Sequence, residues 1–270
     1  MKYWLNGRLV SADSARLDPS DRGFTLGDGL FETICYTDGR ARHLARHLAR
    51  LRRAAEYLAI PLDWDDQAIE AGLEAVVAAA HLPTAAIRIT LSRGPAPRGL
   101  LPPAVATPTL VITAGPLAPA APPARAIIAT VTRRNQASPL ARMKTLNGLD
   151  NILARREALE RGADDAILLK VRGDVAEASV ANLFILADGV LKTPPIEDGA
   201  LPGIARGVLI ERCGAIEATL RPADLLNAGA VFLSNSLGLR MVASIDGAMI
   251  GDGNLPAELA ESVRIALSSE

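Results

Sequence analysis

Ala141-Arg142-Met143-Lys144-Thr145-Leu146-Asn147-Gly148-Leu149-Asp150 sets a single lysine just ahead of a helical pattern. Lysine is scarce here: of 29 basic side chains only four are lysines, Lys2, Lys144, Lys170 and Lys192. Lys2 adjoins the first residue, and Lys170 and Lys192 each close a short apolar run of the kind that ends a strand. Lys144 follows no such run. A primary amine can form a Schiff base and can lose its proton when desolvated, whereas a guanidinium can do neither. In a chain that otherwise uses arginine for positive charge, lysine at this point suggests chemistry, set against the alternative of a surface-turn residue.

Composition narrows the field. At 270 residues the chain supports a sizeable core, and at about 150 residues per domain it holds one or two domains. Hydrophobic residues make up 49% and charged residues 22%, which reads as globular. A net charge of −1 provides no field to draw nucleic acid or an anionic membrane. Cys35 and Cys213 lie in unrelated apolar patterns without metal-ligand spacing, so both read as small buried residues and no metal is expected. No stretch reaches the 18 or so apolar residues of a membrane span, and the start lacks an apolar signal segment. The expectation is a soluble cytoplasmic protein.

Gly115 to Ala124 contains four prolines in ten residues, which neither a helix nor a central strand tolerates. It reads as a linker over 115–124, between a small α+β domain over 1–114 and a larger one over 125–270 that carries Lys144. In the first domain, Asn6-Gly7 and Asp38-Gly39 mark hairpins. Leu44, Leu48, Leu51, Ala55 and Leu58 keep helical spacing, as do Ile69, Leu73, Val76 and Val77. Strands are expected at Ala86 to Ser92 and Thr109 to Thr113. In the second, strands are expected at Ala126 to Thr132, Ala166 to Leu169, Val180 to Ala187, Val190 to Thr193 and Ala228 to Ser234. A helix from Leu149 to Arg161 should rest on Ile152, Leu153, Ala158 and Leu159, with further helices over Ile204 to Cys213 and Pro256 to Leu267.

Four segments then occur in one order: Asp21-Arg22-Gly23 through Gly27-Asp28-Gly29-Leu30-Phe31-Glu32-Thr33, Lys144-Thr145-Leu146-Asn147, Gly173 through Glu177 to Asn182, and Leu201-Pro202-Gly203-Ile204-Ala205-Arg206. Each is weak alone. Their joint order resembles the class IV, fold-type IV pyridoxal 5'-phosphate enzymes, a family that includes branched-chain and D-amino-acid aminotransferases and aminodeoxychorismate lyase, and the likeness spans nearly the whole chain.

The resemblance implies roles that the chemistry also asks for. Lys144 would form the cofactor Schiff base and move a proton. Glu177 would face the pyridine nitrogen and keep it protonated, although alone it reads equally as a solvated strand charge. Arg50 would reach the phosphate with its fork, joined by the backbone of Ile204 and Ala205 at a helix start and by Ser236 and the Leu237 amide in a second loop. Ala205 stands where the family usually has threonine, so a hydroxyl is lost and the amide kept.

For the substrate, the resemblance offers Phe31, Arg88 and Arg98, and leaves open which arginine takes the carboxylate. Phe31 stands where D-amino-acid enzymes have tyrosine, and Leu100 where they have histidine. The implied reaction is transamination between a branched-chain or D-amino acid and a 2-oxo acid in a homodimer. The alternative is aminodeoxychorismate lyase activity, releasing pyruvate and p-aminobenzoate, and a minor one is a catalytically silent cofactor-binding protein.

Overall fold

The computed structural model describes residues 1–251 and 253–268 and divides into two units. Unit 1 comprises Met1–Ala118 with Lys144–Asn147, and unit 2 comprises Pro119–Met143 with Gly148–Glu270. No helix among the described residues is long and apolar enough to cross a membrane.

Unit 1 holds β1 (Lys2–Leu5), β2 (Arg8–Ser11), α1 (Arg22–Leu26), β3 (Gly29–Thr37), β4 (Arg40–Ala41), α2 (Leu44–Tyr57), α3 (Asp66–Ala80), β5 (Ala85–Ser92) and β6 (Thr109–Pro116). Both expected hairpins form: Leu5 pairs with Arg8 across Asn6-Gly7, and Thr37 with Arg40 across Asp38-Gly39. The strands make one sheet in the order β2-β1-β6-β5-β3-β4. Along β3, Leu30, Glu32, Ile34 and Tyr36 share the buried face, while Phe31 and Thr33 point the other way. The helices α2 and α3 bury Leu48, Leu51, Ile69 and Leu73, and with Ile87, Ile89, Leu91 and Leu110 these form the core.

Lys144 departs from expectation, since it groups with unit 1 rather than with the C-terminal portion. The cause is the exposed edge of β3. Phe31 N donates to Lys144 O at 2.8 Å and Leu146 N donates to Gly29 O at 2.9 Å, so the lysine segment bridges Leu30 through Thr145. Otherwise those β3 groups would be an open ladder.

Unit 2 holds β7 (Ala124–Ile128), α4 (Leu149–Glu160), β8 (Asp165–Leu169), β9 (Val175–Ala178), β10 (Asn182–Ala187), β11 (Val190–Thr193), α5 (Ile204–Cys213), β12 (Ile216–Glu217), α6 (Pro222–Leu226), β13 (Ala230–Asn235), β14 (Gly238–Ile245), β15 (Ala248–Met249) and α7 (Ala257–Ser268). The sheet runs β12-β11-β10-β13-β14-β7-β8-β9, with β15 beside β14. Phe184 and Phe232 lie directly opposite each other on β10 and β13 and stack with centroids 5.0 Å apart. The irregular stretch is shorter than the linker read from the prolines, because β6 extends to Pro116 and β7 begins at Ala124.

The face of α4 is also different from its sequence reading. Ala154 and Ala158 are buried against Ile127, Ala129, Ala166 and Leu168, whereas Ile152 and Leu159 are exposed. Two alanines one turn apart let the helix axis approach the strands closely, and that contact outweighs the larger side chains. Cys35 is buried as expected, while Cys213 is half-buried at the end of α5.

Candidate active site

Glu32 is a carboxylate on the apolar face of β3, 1% exposed, and it survives there because α2 brings two bases to it. His47 Nδ1 lies 2.6 Å from Glu32 Oε2, and Arg50 donates through Nε to Oε1 at 2.7 Å and through Nη2 to Oε2 at 2.6 Å. His47 and Arg50 are three residues apart, so both project from one helix face. Burial alone would push the Glu32 carboxyl up, yet His47 and Arg50 hold it below the ordinary range. The arginine expected at a phosphate is therefore anchored by a buried ion pair that the sequence reading did not include.

On the opposite face of β3, Phe31 gathers two other predicted residues. The Arg88 guanidinium carbon lies 3.8 Å from the Phe31 ring centroid, and Lys144 Nζ lies 4.5 Å from it. The register explains this: Arg88 on β5 pairs with Thr33 and Thr90 with Phe31, so Arg88 sits diagonally across from Phe31 on the same face. Arg88 Nε also donates to Thr90 Oγ1 at 3.1 Å. Arg98 is exposed on the segment joining β5 to β6.

In unit 2, Glu177 is buried on β9, and its carboxylate meets donors from three residues of the same unit. Arg134 Nη2 approaches Oε1 at 3.1 Å, Leu201 N donates to Oε2 at 2.9 Å, and Asn182 Nδ2 lies 3.4 Å from Oε2. Asn182 Nδ2 also donates to Leu201 O at 2.9 Å, which pins the entry to α5 against β10. Gly203 leaves room for this contact: a Cβ on it would stand 1.9 Å from Asn182 Oδ1 and would push that side chain aside. Arg134 is itself fixed, with Nε donating to Gly199 O at 3.2 Å and Nη2 to Ala141 O at 3.1 Å.

Ile204 and Ala205 open α5, whose first ladder bond is Gly207 N to Gly203 O, so their amides face out of the helix start. Ser236 and Leu237 form the two-residue turn between β13 and β14. The Leu237 amide, expected to serve an anion, donates instead to Asn235 Oδ1 at 2.9 Å. Lys170, half-buried like Lys144 and Lys192, is committed elsewhere: Asp174 at 2.7 Å and Asp198 flank its amine and hold its pKa above the ordinary value.

The amino-transferase class IV family pattern matches residues 29–245. The branched-chain-amino-acid aminotransferase of Escherichia coli is 31% identical, over 93% of this chain and 86% of that protein. A D-alanine aminotransferase from Bacillus licheniformis is 29% identical, over 100% of this chain and 96% of that protein. The crystal structure of 4-amino-4-deoxychorismate lyase from Pseudomonas aeruginosa superposes with a TM-score of 0.83 at 33% identity, covering 97% of this chain and 98% of that one.

Proposed function

The chain belongs to the class IV aminotransferase family, and on that premise we propose that it is a pyridoxal 5'-phosphate-dependent transaminase acting between a branched-chain or D-amino acid and a 2-oxo acid. The observation that carries this reading is the sharing of the Phe31 ring by the Lys144 amine and the Arg88 guanidinium. An α-amino acid bears its amino group and carboxylate on neighbouring carbons. A lysine beside a guanidinium suits such a molecule better than it suits a simple amine.

The residues present also fit the cofactor. A buried carboxylate at Glu177 suits a protonated ring nitrogen, and outward amides at the start of α5 suit a phosphate dianion. When bound, the cofactor supplies an aldehyde that carries the amino group and a ring that draws electrons from the substrate α-carbon. Lys144 would anchor it covalently and, once displaced by the substrate amine, would take the α-proton onto Nζ and deliver it to the carbon that was the cofactor's aldehyde. Glu177 would hold a proton on the ring nitrogen, with Arg134 and Asn182 fixing the carboxylate. Arg50, the amides of Ile204 and Ala205, and Ser236 would hold the phosphate. Arg88 and Arg98 would receive substrate carboxylates.

A second reading, aminodeoxychorismate lyase activity, is favoured by the 33% identity to the Pseudomonas aeruginosa lyase, beside 31% to the Escherichia coli transaminase. It requires the same lysine and glutamate. A silent cofactor-binding protein would have no need of both. The proposal includes a cytoplasmic homodimer, and the apolar Leu149, Ile152 and Leu159 left exposed on α4 suit the pairing of two copies.

The test is to mix purified holoenzyme separately with L-leucine, L-glutamate, D-alanine and D-glutamate and follow the cofactor absorbance. At least one donor should convert the cofactor to its amino form in a single turnover. If none does, while aminodeoxychorismate yields pyruvate and p-aminobenzoate, the lyase reading replaces this one.

A further inference from the structure

The connection between β5 and β6, residues 93–108, carries Arg98 and has little packing of its own at its tip, where Leu100 is 82% and Leu101 is 89% exposed. Such a tip would sample many conformations unless held. Here the dipeptide Asp21-Arg22 holds it at both ends.

At the neck, Asp21 Oδ2 accepts from Ser92 Oγ at 2.9 Å and from Thr109 Oγ1 at 2.8 Å, tying together the residues that flank the connection. Arg22 N donates to Gly94 O at 3.0 Å. The two strands of the neck nearly touch, since a Cβ on Gly94 would lie 1.7 Å from Thr107 O. At the tip, one guanidinium serves three consecutive carbonyls: Arg22 Nη1 donates to Gly99 O at 2.9 Å and Leu101 O at 3.4 Å, and Nη2 donates to Leu100 O at 2.8 Å. Its remaining Nε donates to Asp28 Oδ2 at 2.7 Å.

Asp28 in turn takes Arg93 Nε at 2.8 Å, and Arg93 caps Leu58 O and Ala59 O at 2.8 Å each. Arg22 is thus 4% exposed, with all three guanidinium nitrogens donating, and the acceptors are Asp28 and the loop carbonyls rather than any residue of the proposed chemistry. Lysine could not replace it, because a single ammonium lacks the planar fork that spans three carbonyls and a carboxylate at once.

We propose that Arg22 is a positioning residue for substrate specificity: by clamping Gly99 to Leu101 it fixes the direction in which the adjacent Arg98 meets a substrate carboxylate. This rests on the reading of Arg98 as a carboxylate-binding arginine. A preorganised arginine binds without first ordering its loop, so loosening the clamp should weaken binding of acid substrates without slowing the bound complex.

The experiment compares Arg22→Lys, Gly99→Ala and Arg98→Ala holoenzymes with wild type. Gly99 has φ +141 with open space around it, so alanine there strains the clamped tip and leaves the fold intact even if Arg22→Lys proves unstable. Two readouts are taken: steady-state KM and kcat for amino acid and 2-oxo acid, and the rate of tryptic cleavage at the Arg98–Gly99 bond. Both loop variants should raise KM about tenfold with kcat within about twofold, and should be cleaved faster than wild type. A merely destabilised enzyme would lose kcat through its active fraction and keep its KM. If Arg98→Ala raises KM while Arg22→Lys and Gly99→Ala leave it unchanged, the clamp proposal is overturned and the Arg98 reading stands. If Arg98→Ala leaves KM unchanged, the Arg98 reading fails and the proposal fails with it.

Discussion

Replacing Glu32 with glutamine removes the charge that two buried bases depend on while keeping the side-chain shape. Glu32 is 1% exposed, His47 1% and Arg50 5%, and three contacts of 2.6 to 2.7 Å join them. Removing one member of such a buried pair leaves an uncompensated guanidinium and typically costs about 3–5 kcal/mol. Glutamine keeps one acceptor oxygen, so the lower end, about 3 kcal/mol, applies. The assay is urea unfolding followed by tryptophan fluorescence. The only two tryptophans, Trp4 and Trp64, both lie in unit 1, packed edge-on with centroids 6.2 Å apart, so the signal reports the unit that was changed. With a slope of about 1.5 kcal/mol per molar urea, the midpoint should fall by about 2 M at pH 7.

The same variant fixes the pH dependence. Burial raises the Glu32 carboxyl, but His47 and Arg50 outweigh it and the folded pKa lies below the ordinary value. A depressed carboxyl stabilises fully above the unfolded pKa, near 4.3, and that contribution is lost as pH falls through the folded value. The gap between wild type and Glu32→Gln should therefore be largest at neutral pH and close on acidification below about pH 4. A midpoint unchanged at pH 7, or a gap equally wide in acid, would refute the ion-pair account of Arg50.

Three further outcomes are expected. Glu177→Gln should retain bound cofactor yet lose at least about a hundredfold in half-reaction rate, measured by stopped-flow absorbance, and near-wild-type turnover would remove Glu177 from the mechanism. Arg88→Ala should cost about 1.5–3 kcal/mol in kcat/KM for amino acids, as for a carboxylate losing a charged hydrogen-bond donor, and an unchanged value would leave its contact with Phe31 merely structural. Gly203→Ala should drive Asn182 from Leu201, lowering thermal stability by about 1–3 kcal/mol and weakening cofactor binding in a fluorescence titration; a variant as stable as wild type would contradict the close approach at 1.9 Å.

Much of this was readable from residue order. Alternating apolar runs gave most of the strands, and Asn6-Gly7 and Asp38-Gly39 gave their turns, because these signals are local. Lys144 could be singled out as chemical but not placed in unit 1, since its position depends on edge pairing with Phe31, far away in sequence. The strand Gly238–Ile245 was missed because Arg240 and Ser244 interrupt its pattern. Glu32 offered a usable signal: a carboxylate at a buried parity of an apolar strand demands partners, and His47 and Arg50 share a helix face. Arg134 and Asn182 offered none, being one arginine among many and one polar residue at a strand start, whose importance comes only from long-range contact with Glu177. The two inward alanines of α4 likewise depend on how closely the helix meets its sheet.

The central claim is that Lys144 carries the chemistry, and borohydride reduction of the holoenzyme followed by peptide mapping tests it most directly. Reduction should fix the cofactor to one peptide, at Lys144, with no label on Lys170, whose amine is held between Asp174 and Asp198. Lys144→Ala should yield no labelled peptide and lose several decades of turnover. Label recovered on Lys170 or Lys192, or turnover surviving in Lys144→Ala, would contradict the account.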